Sequence, residues 1–323
     1  MLDEYDVIEL MTRGFGKLPE GYLPIGDDVA MFPSGGPGQR VVMKCDMLVA
    51  KTDVPRSMTW RQASRKSIAM CVSDFAAKGV RPTAFMVSLG LPRGTPKRRV
   101  EELASGILDA SREWDVRLVG GDTGETHDLT IDCSMVGFAD RVVQRSGARA
   151  GELVVTTGTF GQTAAGLKIL SGRARAEPVF REEAVSSVCR PAPKLSLGIA
   201  LSKILSSSID SSDGLAISLH SICEMSRVGI RLAKLPVANG LSEFASRNSV
   251  SAEELALYGG EEYEIVGTIN KGRIEEAKDI ARSMGCELIV IGETMSTKEE
   301  RGVVLPNNKR VLKKGWIHFK SEP

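Results

Sequence analysis

Asp46 lies inside the apolar run MKCDMLV and Asp74 inside CVSDFAA, so each carboxylate sits where its neighbours on both sides favour burial. A buried carboxylate needs a partner charge or a set of hydrogen bonds. A fold that accepts both must therefore bring compensating groups to them. The stretch LPIGDDVAMF adds Asp27 and Asp28, adjacent between an apolar approach and an apolar exit. Asp122 closes LVGGD, and Asp210 and Asp213 fall within IDSSDG. These five have simpler roles open to them. Gly-Asp pairs suit tight turns, and Ser212 or Asp213 could cap a helix. Asp46 and Asp74 have no such alternative.

If several of these carboxylates converge, cations must come with them. Two carboxylates about 4 Å apart repel by roughly 4 kcal/mol at an effective dielectric near 20. Three or four such pairs would consume most of the ~5–15 kcal/mol that stabilises a typical domain. Oxygen ligands with no imidazole or thiolate in the pattern select hard ions, with Mg²⁺ favoured where phosphates complete the shell. The common phosphate motifs are missing: there is no G-x-x-x-x-G-K-[ST], no G-x-G-x-x-G and no protein-kinase set. In GTFGQTAAG, with Gly158, Gly161 and Gly166, a turn opens a helix whose N–H groups could meet a phosphate. Close helix–strand packing explains those glycines equally well.

A length of 323 residues suits two domains better than one. A short amphipathic helix over residues 3–13 opens the chain, and GGPG at 35–38 reads as a loop. RVVMKCDMLVA reads as a strand. From Thr59 to Lys78 the apolar spacing is helical, with Thr59 as N-cap, Gly79 as stop and Pro82 blocking continuation. TAFMVSLGL, VRLVGGD and LTIDCSMVGFA are further strands, with a helix from Lys97 to Trp114 between the first two. The charged, glycine-containing run DRVVQRSGARAGE marks a boundary, giving domains 1–145 and 146–323. Beyond it come strand LVVTTG, helix QTAAGLKIL, helices near 181–189 and 194–205, a helix to Arg227 and strand GIRLAKL. Helices and antiparallel-looking strands intermix in both halves, so the expected class is α+β with mixed sheets.

Lys plus Arg total 42 against 41 Asp plus Glu, a net charge of +1, so no global field draws in nucleic acid or a membrane surface. No apolar run approaches the roughly 18 residues that span a bilayer, and MLDEYDVIEL is acidic where a signal peptide is basic. A cytoplasmic protein is expected. Six cysteines never form C-x-x-C, and the three histidines, His127, His220 and His318, form no metal motif. Chemistry resting on imidazole or thiolate is disfavoured.

The segments PIGDDVA, KCDMLV, VSDFAAKGVRP, LVGGDT, RSGARAGE, TTGTFGQTAAGL, CRPAPKLSLG, IDSSDGL, YGGEEYEI and KKGWIHF occur in this order over nearly the whole chain. In that order they resemble thiamine-monophosphate kinases, within the superfamily of aminoimidazole ribonucleotide synthetase and selenophosphate synthetase. The resemblance implies ATP-dependent phosphorylation of thiamine monophosphate to thiamine diphosphate by direct, Mg²⁺-assisted transfer without a covalent catalytic residue. It implies a two-domain fold of the aminoimidazole ribonucleotide synthetase type, with 1–145 binding metal and ATP and forming a homodimer, and nucleotide between the domains. By motif position, Asp27, Asp28, Asp46, Asp74, Asp122, Asp210 and Asp213 become metal ligands, direct or through water. Gly121, Asp122, Arg145 and Ser212 become ATP contacts. Asp53, Glu261, Glu262 and Trp316 become contacts to thiamine monophosphate. Such roles suit phosphoryl transfer, which needs positioning and charge neutralisation more than a nucleophile. Arg145 offers a planar donor fork, and the Trp316 indole a face for a cationic thiazolium. Without the resemblance, Trp316 reads as a core residue of a C-terminal strand and Glu261 and Glu262 as a solvated turn.

The chain departs from the family pattern in three places. Lys44-Cys45-Asp46 stands where Ser/Thr-Thr-Asp is frequent. A Cys side chain is a poor Mg²⁺ ligand, so Cys45 could serve only through its backbone carbonyl, and Lys44 could neutralise a phosphate or one of the carboxylates. Asp53 replaces a substrate-contacting His, and CVSD stands where Asn-Val/Leu-Ser-Asp is frequent. Another ATP-dependent enzyme of the superfamily is the first alternative. Selenophosphate synthetases carry a reactive Cys near the N-terminus, and hydrogenase-maturation relatives end in Cys, whereas this sequence ends KSEP. A non-catalytic nucleotide-binding dimer is the second, which so much spaced negative charge argues against.

Overall fold

The structure is a computed structural model and describes residues 2–35, 38–298 and 301–319. Part of the GGPG loop and the terminal KSEP lie outside the described residues. The first half contains α1 (Glu4–Thr12), β1 (Ala30–Pro33), β2 (Arg40–Val49), a single turn α2 (Ala50–Asp53) and α3 (Trp60–Lys78). It continues with β3 (Pro82–Leu91), α4 (Lys97–Glu113), β4 (Arg117–Glu125) and β5 (Thr130–Ala139). Its sheet has the order β1-β2-β5-β3-β4, antiparallel except where β3 runs beside β4.

The second half begins with β6 (Leu153–Thr156), α5 (Gln162–Leu170), α6 (Pro178–Cys189), α7 (Leu195–Leu201) and β7 (Leu205–Asp210). Then come α8 (Leu215–Ser226), β8 (Val228–Leu232), α9 (Leu241–Arg247), α10 (Ala252–Tyr258) and β9 (Ile265–Ile269). Helix α11 (Ile274–Ser283) and strands β10 (Ile289–Ser296) and β11 (Val303–Val304) close it. The second sheet has the order β11-β8-β10-β6-β9-β7. Helices and mixed sheets make the chain α+β, as its sequence pattern suggests. The helix expected over 194–205 ends at Leu201, because Leu205 leaves it to pair with β9. Trp316 lies in no strand; its surroundings are irregular and it stays 40% exposed.

The element that positions the site is α3. Thr59 accepts from the Gln62 N–H while the Gln62 side chain accepts from the Thr59 N–H, a capping box. Gly79 ends the helix at φ 68°, a left-handed conformation that favours glycine. Between these caps the helix is buried almost all round. It packs on the first sheet on one side and on α7 and β7 on the other, so Phe75, Val87 and Ile131 share one apolar core with Leu197, Leu201 and Ile265. Helix α7 comes close through Gly198, where a Cβ would stand 2.0 Å from the Ala76 carbonyl oxygen. Lys66, Asp74 and Lys78 recur on α3 at multiples of four residues, which places them along one ridge.

The first sheet has two unlike faces. Ile131, Cys133 and Met135 of β5, Phe85 and Val87 of β3, and Val42 and Leu48 of β2 point into the core. With a period of two, Lys44 and Asp46 share that inner face. Met43, Cys45 and Met47 take the other, and β4 is exposed along its whole length.

Candidate functional site

Three carboxylates meet beneath the inner face. One oxygen from each of Asp28, Asp74 and Asp210 lies within 4.8 Å of the others, and all three residues are buried. They arrive from different elements: the turn before β1, the middle of α3 and the end of β7. The Lys78 ammonium lies 2.7 Å from both Asp27 Oδ1 and Asp28 Oδ2, and donates to the Ser208 carbonyl at 2.7 Å. Arg145 donates Nε to Asp28 Oδ1 at 2.7 Å, Nη1 to the Gly26 carbonyl at 2.9 Å and its backbone N–H to Asp27 Oδ2 at 3.1 Å. Its Nη2 also meets Asp28. Ser73 Oγ donates to Asp210 Oδ2 at 2.7 Å. Lys44 Nζ stands 3.2 Å from Asp46 Oδ1 and 3.1 Å from Asp74 Oδ2.

The electrostatics are uneven. Burial alone would raise the Asp28 carboxyl, but Lys78 and Arg145 outweigh it and hold Asp28 below its usual range. Burial raises Asp74 well above that range, with Lys44 opposing and Asp210 and Asp46 adding to the rise. Asp210 is pushed up to about 6 by burial and by Asp28, and Asp213 to about 7 by burial, Glu4 and Asp210. Carboxyls that resist ionising on their own are matched to a further cation. Asp28 Oδ2 faces the Lys78 ammonium at 2.7 Å, and a carboxylate oxygen so engaged keeps a second lone pair for a ligand. An oxygen-only, buried, electron-rich trio of this kind suits a hard divalent ion.

Of the expected ligands, Asp27 is taken by Lys78 and the Arg145 backbone, Asp46 reaches Asp74 through Lys44, and Asp213 is not among the three that converge. Cys45 and Asp122 are placed elsewhere within the chain. Asp46, Cys133, Val87 and Gly121 pair directly across the sheet, as do Met47, Asp132, Ser88 and Asp122. Directly paired residues share a face, so Asp122 projects from the outer face, opposite to Asp46. It also stands three strands from β2, roughly 14 Å at the usual strand spacing. The Cys45 side chain points outward by the same parity. Gly121 has a packing reason of its own, since a Cβ there would stand 2.0 Å from the Val87 carbonyl oxygen.

A second cluster gathers the candidate substrate residues. Lys66 Nζ lies 2.5 Å from Glu261 Oε1 and donates to the Asp53 carbonyl at 2.9 Å. The Asp53 carboxylate itself accepts from the Val49 N–H at 2.7 Å and so folds the α2 turn. Glu261 is held at φ 65°, its N–H donates to the Ser212 carbonyl at 2.6 Å, and its buried Oε2 accepts no hydrogen bond among the described residues. Ser212 thereby joins the loop after β7 to the loop before β9. The Trp316 backbone N–H donates to the Asp213 carbonyl at 3.0 Å, which ties the chain at residue 316 to that loop. Glu262 is not a solvated turn residue. Its carboxylate accepts from the N–H groups of Gly161 and Thr163 at 2.6 and 3.1 Å and from Thr163 Oγ1 at 2.9 Å, closing the N-terminus of α5. Those are the N–H groups that the sequence offered to a phosphate.

Sequence reasoning missed Lys66 and Lys78. The signal was present: two lysines on the apolar ridge that also carries Asp74, where a solvated lysine has no place.

Residues 26–139 match the family model described as AIR synthase related protein, N-terminal domain. The thiamine-monophosphate kinase of Nitrosopumilus maritimus is 34% identical over 322 residues, covering 99% of each chain. That of Aquifex aeolicus is 30% identical, covering 98% of each. Among solved structures, AaThiL complexed with AMPPCP and TMP superimposes with a TM-score of 0.87 at 28% identity, covering 98% of this chain and 97% of that one.

Proposed function

This chain belongs to the thiamine-monophosphate kinases, and on that premise we propose that it transfers the γ-phosphoryl group of ATP to the phosphate of thiamine monophosphate, giving thiamine diphosphate and ADP. The convergence of Asp28, Asp74 and Asp210 beside Arg145 carries the reading. Asp28, Asp74 and Asp210 would hold Mg²⁺, which when bound would supply positive charge to offset that of the phosphates. Attack of one phosphate on another is opposed mainly by like charge, so positioning and neutralisation are what the protein has to supply.

The chain's own residues divide that work. Lys78 and Arg145 fix Asp28 in its ionised, ligating form. Arg145 uses three of its guanidinium donors on Asp28 and Gly26, leaving others for a phosphate of the nucleotide. Lys66 holds Glu261 in place beside the loop that Ser212 begins, where the part of the Glu261 side chain left exposed faces the substrate. The exposed face of Trp316 stacks on the cationic thiazolium or the pyrimidine. Glu262 acts through α5 rather than on the substrate.

The open outer face and the unpaired edge of β4 are where a second copy docks. On that reading the protein is a homodimer, and Gly121, Asp122 and the Cys45 backbone meet nucleotide only once the partner covers the sheet. No described helix is long and apolar enough to cross a membrane, and six free cysteines fit a reducing cytoplasm.

The test is an assay of the purified protein with ATP, Mg²⁺ and thiamine monophosphate. Thiamine diphosphate and ADP should form in equal amounts. ATP turnover with a different acceptor and none with thiamine monophosphate would move the protein to another activity of the superfamily.

A further inference from the structure

The gap between Asp46 and Asp74 is already filled by a side chain. Lys44 and Asp46 project from the same face of β2, two residues apart, so the strand itself delivers the ammonium toward α3. There it lies 3.2 Å from Asp46 and 3.1 Å from Asp74. The groups acting on it are Asp46 on its own strand, Asp74 and Cys71 on α3, and Asp210 at the end of β7. A Mg²⁺ bridging Asp46 and Asp74 would need an oxygen of each at about 2.0–2.1 Å, and the ammonium stands where that ion would sit.

We propose that Lys44 is a resident cation of the site, bridging Asp46 and Asp74 in place of a divalent ion, so that the nucleotide-free protein holds one divalent ion at Asp28, Asp74 and Asp210 and none between Asp46 and Asp74. The proposal rests on reading the carboxylate trio as a metal site. It adds that part of the cationic charge facing the phosphates is covalently fixed and independent of Mg²⁺ concentration. An uncharged residue at 44 would open a second metal position.

Mn²⁺ titration of the full-length protein without nucleotide, followed by electron paramagnetic resonance, tests this by counting ions. One Mn²⁺ per chain is expected for the wild type and two for Lys44→Gln. The double variant Lys44→Gln/Asp46→Asn restores the charge balance and should return to one. If Lys44→Gln fails to fold, the wild-type and double-variant counts still decide. Two ions in the wild type, a single site that merely tightens in Lys44→Gln, or a second ion that survives in the double variant each overturn the proposal. No Mn²⁺ binding in any of the proteins overturns it together with the metal reading of the trio. Turnover of thiamine monophosphate, measured separately, tests the proposed activity on its own.

Discussion

The ammonium of Lys66, buried in α3, lies 2.5 Å from the carboxylate of Glu261 in the loop before β9. One lysine thus ties a helix of the first half to a candidate substrate residue of the second, and through the Asp53 carbonyl it holds the α2 turn as well. The other Glu261 carboxylate oxygen, Oε2, is buried and meets no donor among the described residues.

Lys66→Met should destabilise the protein by about 2–4 kcal/mol. Breaking a fully buried pair costs roughly 3–5 kcal/mol, and Glu261 keeps 23% of its side chain exposed. Lys66→Met/Glu261→Gln should recover most of the loss. Urea unfolding of the three proteins measures both effects, and a double variant no more stable than the single one would show the pair to be incidental.

Two aspartates, Asp210 buried and Asp213 half-buried, give the metal-free protein an inverted pH dependence. Asp210 and Asp213 ionise near 6 and 7 when folded against an ordinary 3.8. Between about pH 4 and pH 7 the folded state therefore keeps protons that the unfolded chain has released, and stability falls as pH rises through that window. The Asp28 carboxyl, held low, acts the other way and withdraws its contribution only as pH drops below about 4. In EDTA, the stability of Asp213→Asn relative to the wild type should grow by about 3 kcal/mol between pH 4.5 and 7.5, on the order of two pKa units. Mg²⁺ should cancel most of that growth, since it favours the ionised form. A constant difference across the range would show that Asp213 ionises in its ordinary range in the folded protein.

Glu262→Ala should cost about 1–2 kcal/mol of stability, the value of a lost helix cap, and leave the KM for thiamine monophosphate within about twofold. Thermal unfolding and steady-state kinetics separate the outcomes. A large KM increase with unchanged stability would restore Glu262 to the substrate site.

Val119, 64% exposed on the edge strand β4, should tolerate lysine as a monomer and not as a dimer. Light scattering after size exclusion should give twice the chain mass for the wild type and a single mass for Val119→Lys, because a charge on an edge blocks strand addition. A wild type that is already monomeric at micromolar concentration would end the dimer reading.

Local sequence was enough to reveal the elements and the demand for charge compensation. Helix α3 could be read from Thr59 to Gly79 because caps and periodicity are local properties. Asp46 and Asp74 announced themselves because their immediate neighbours are apolar. Which partners answer that demand emerged only from the folded chain: Lys78 for Asp27 and Asp28, Lys66 for Glu261, Lys44 for Asp46 and Asp74. Folding also separated Cys45 from Asp46 and Asp122 from the trio, and it committed Glu262 to a helix end. The physical reason is that side-chain alternation fixes relative direction within one strand. Which face becomes core, and which loop returns to which helix, depends on contacts between residues far apart in the chain.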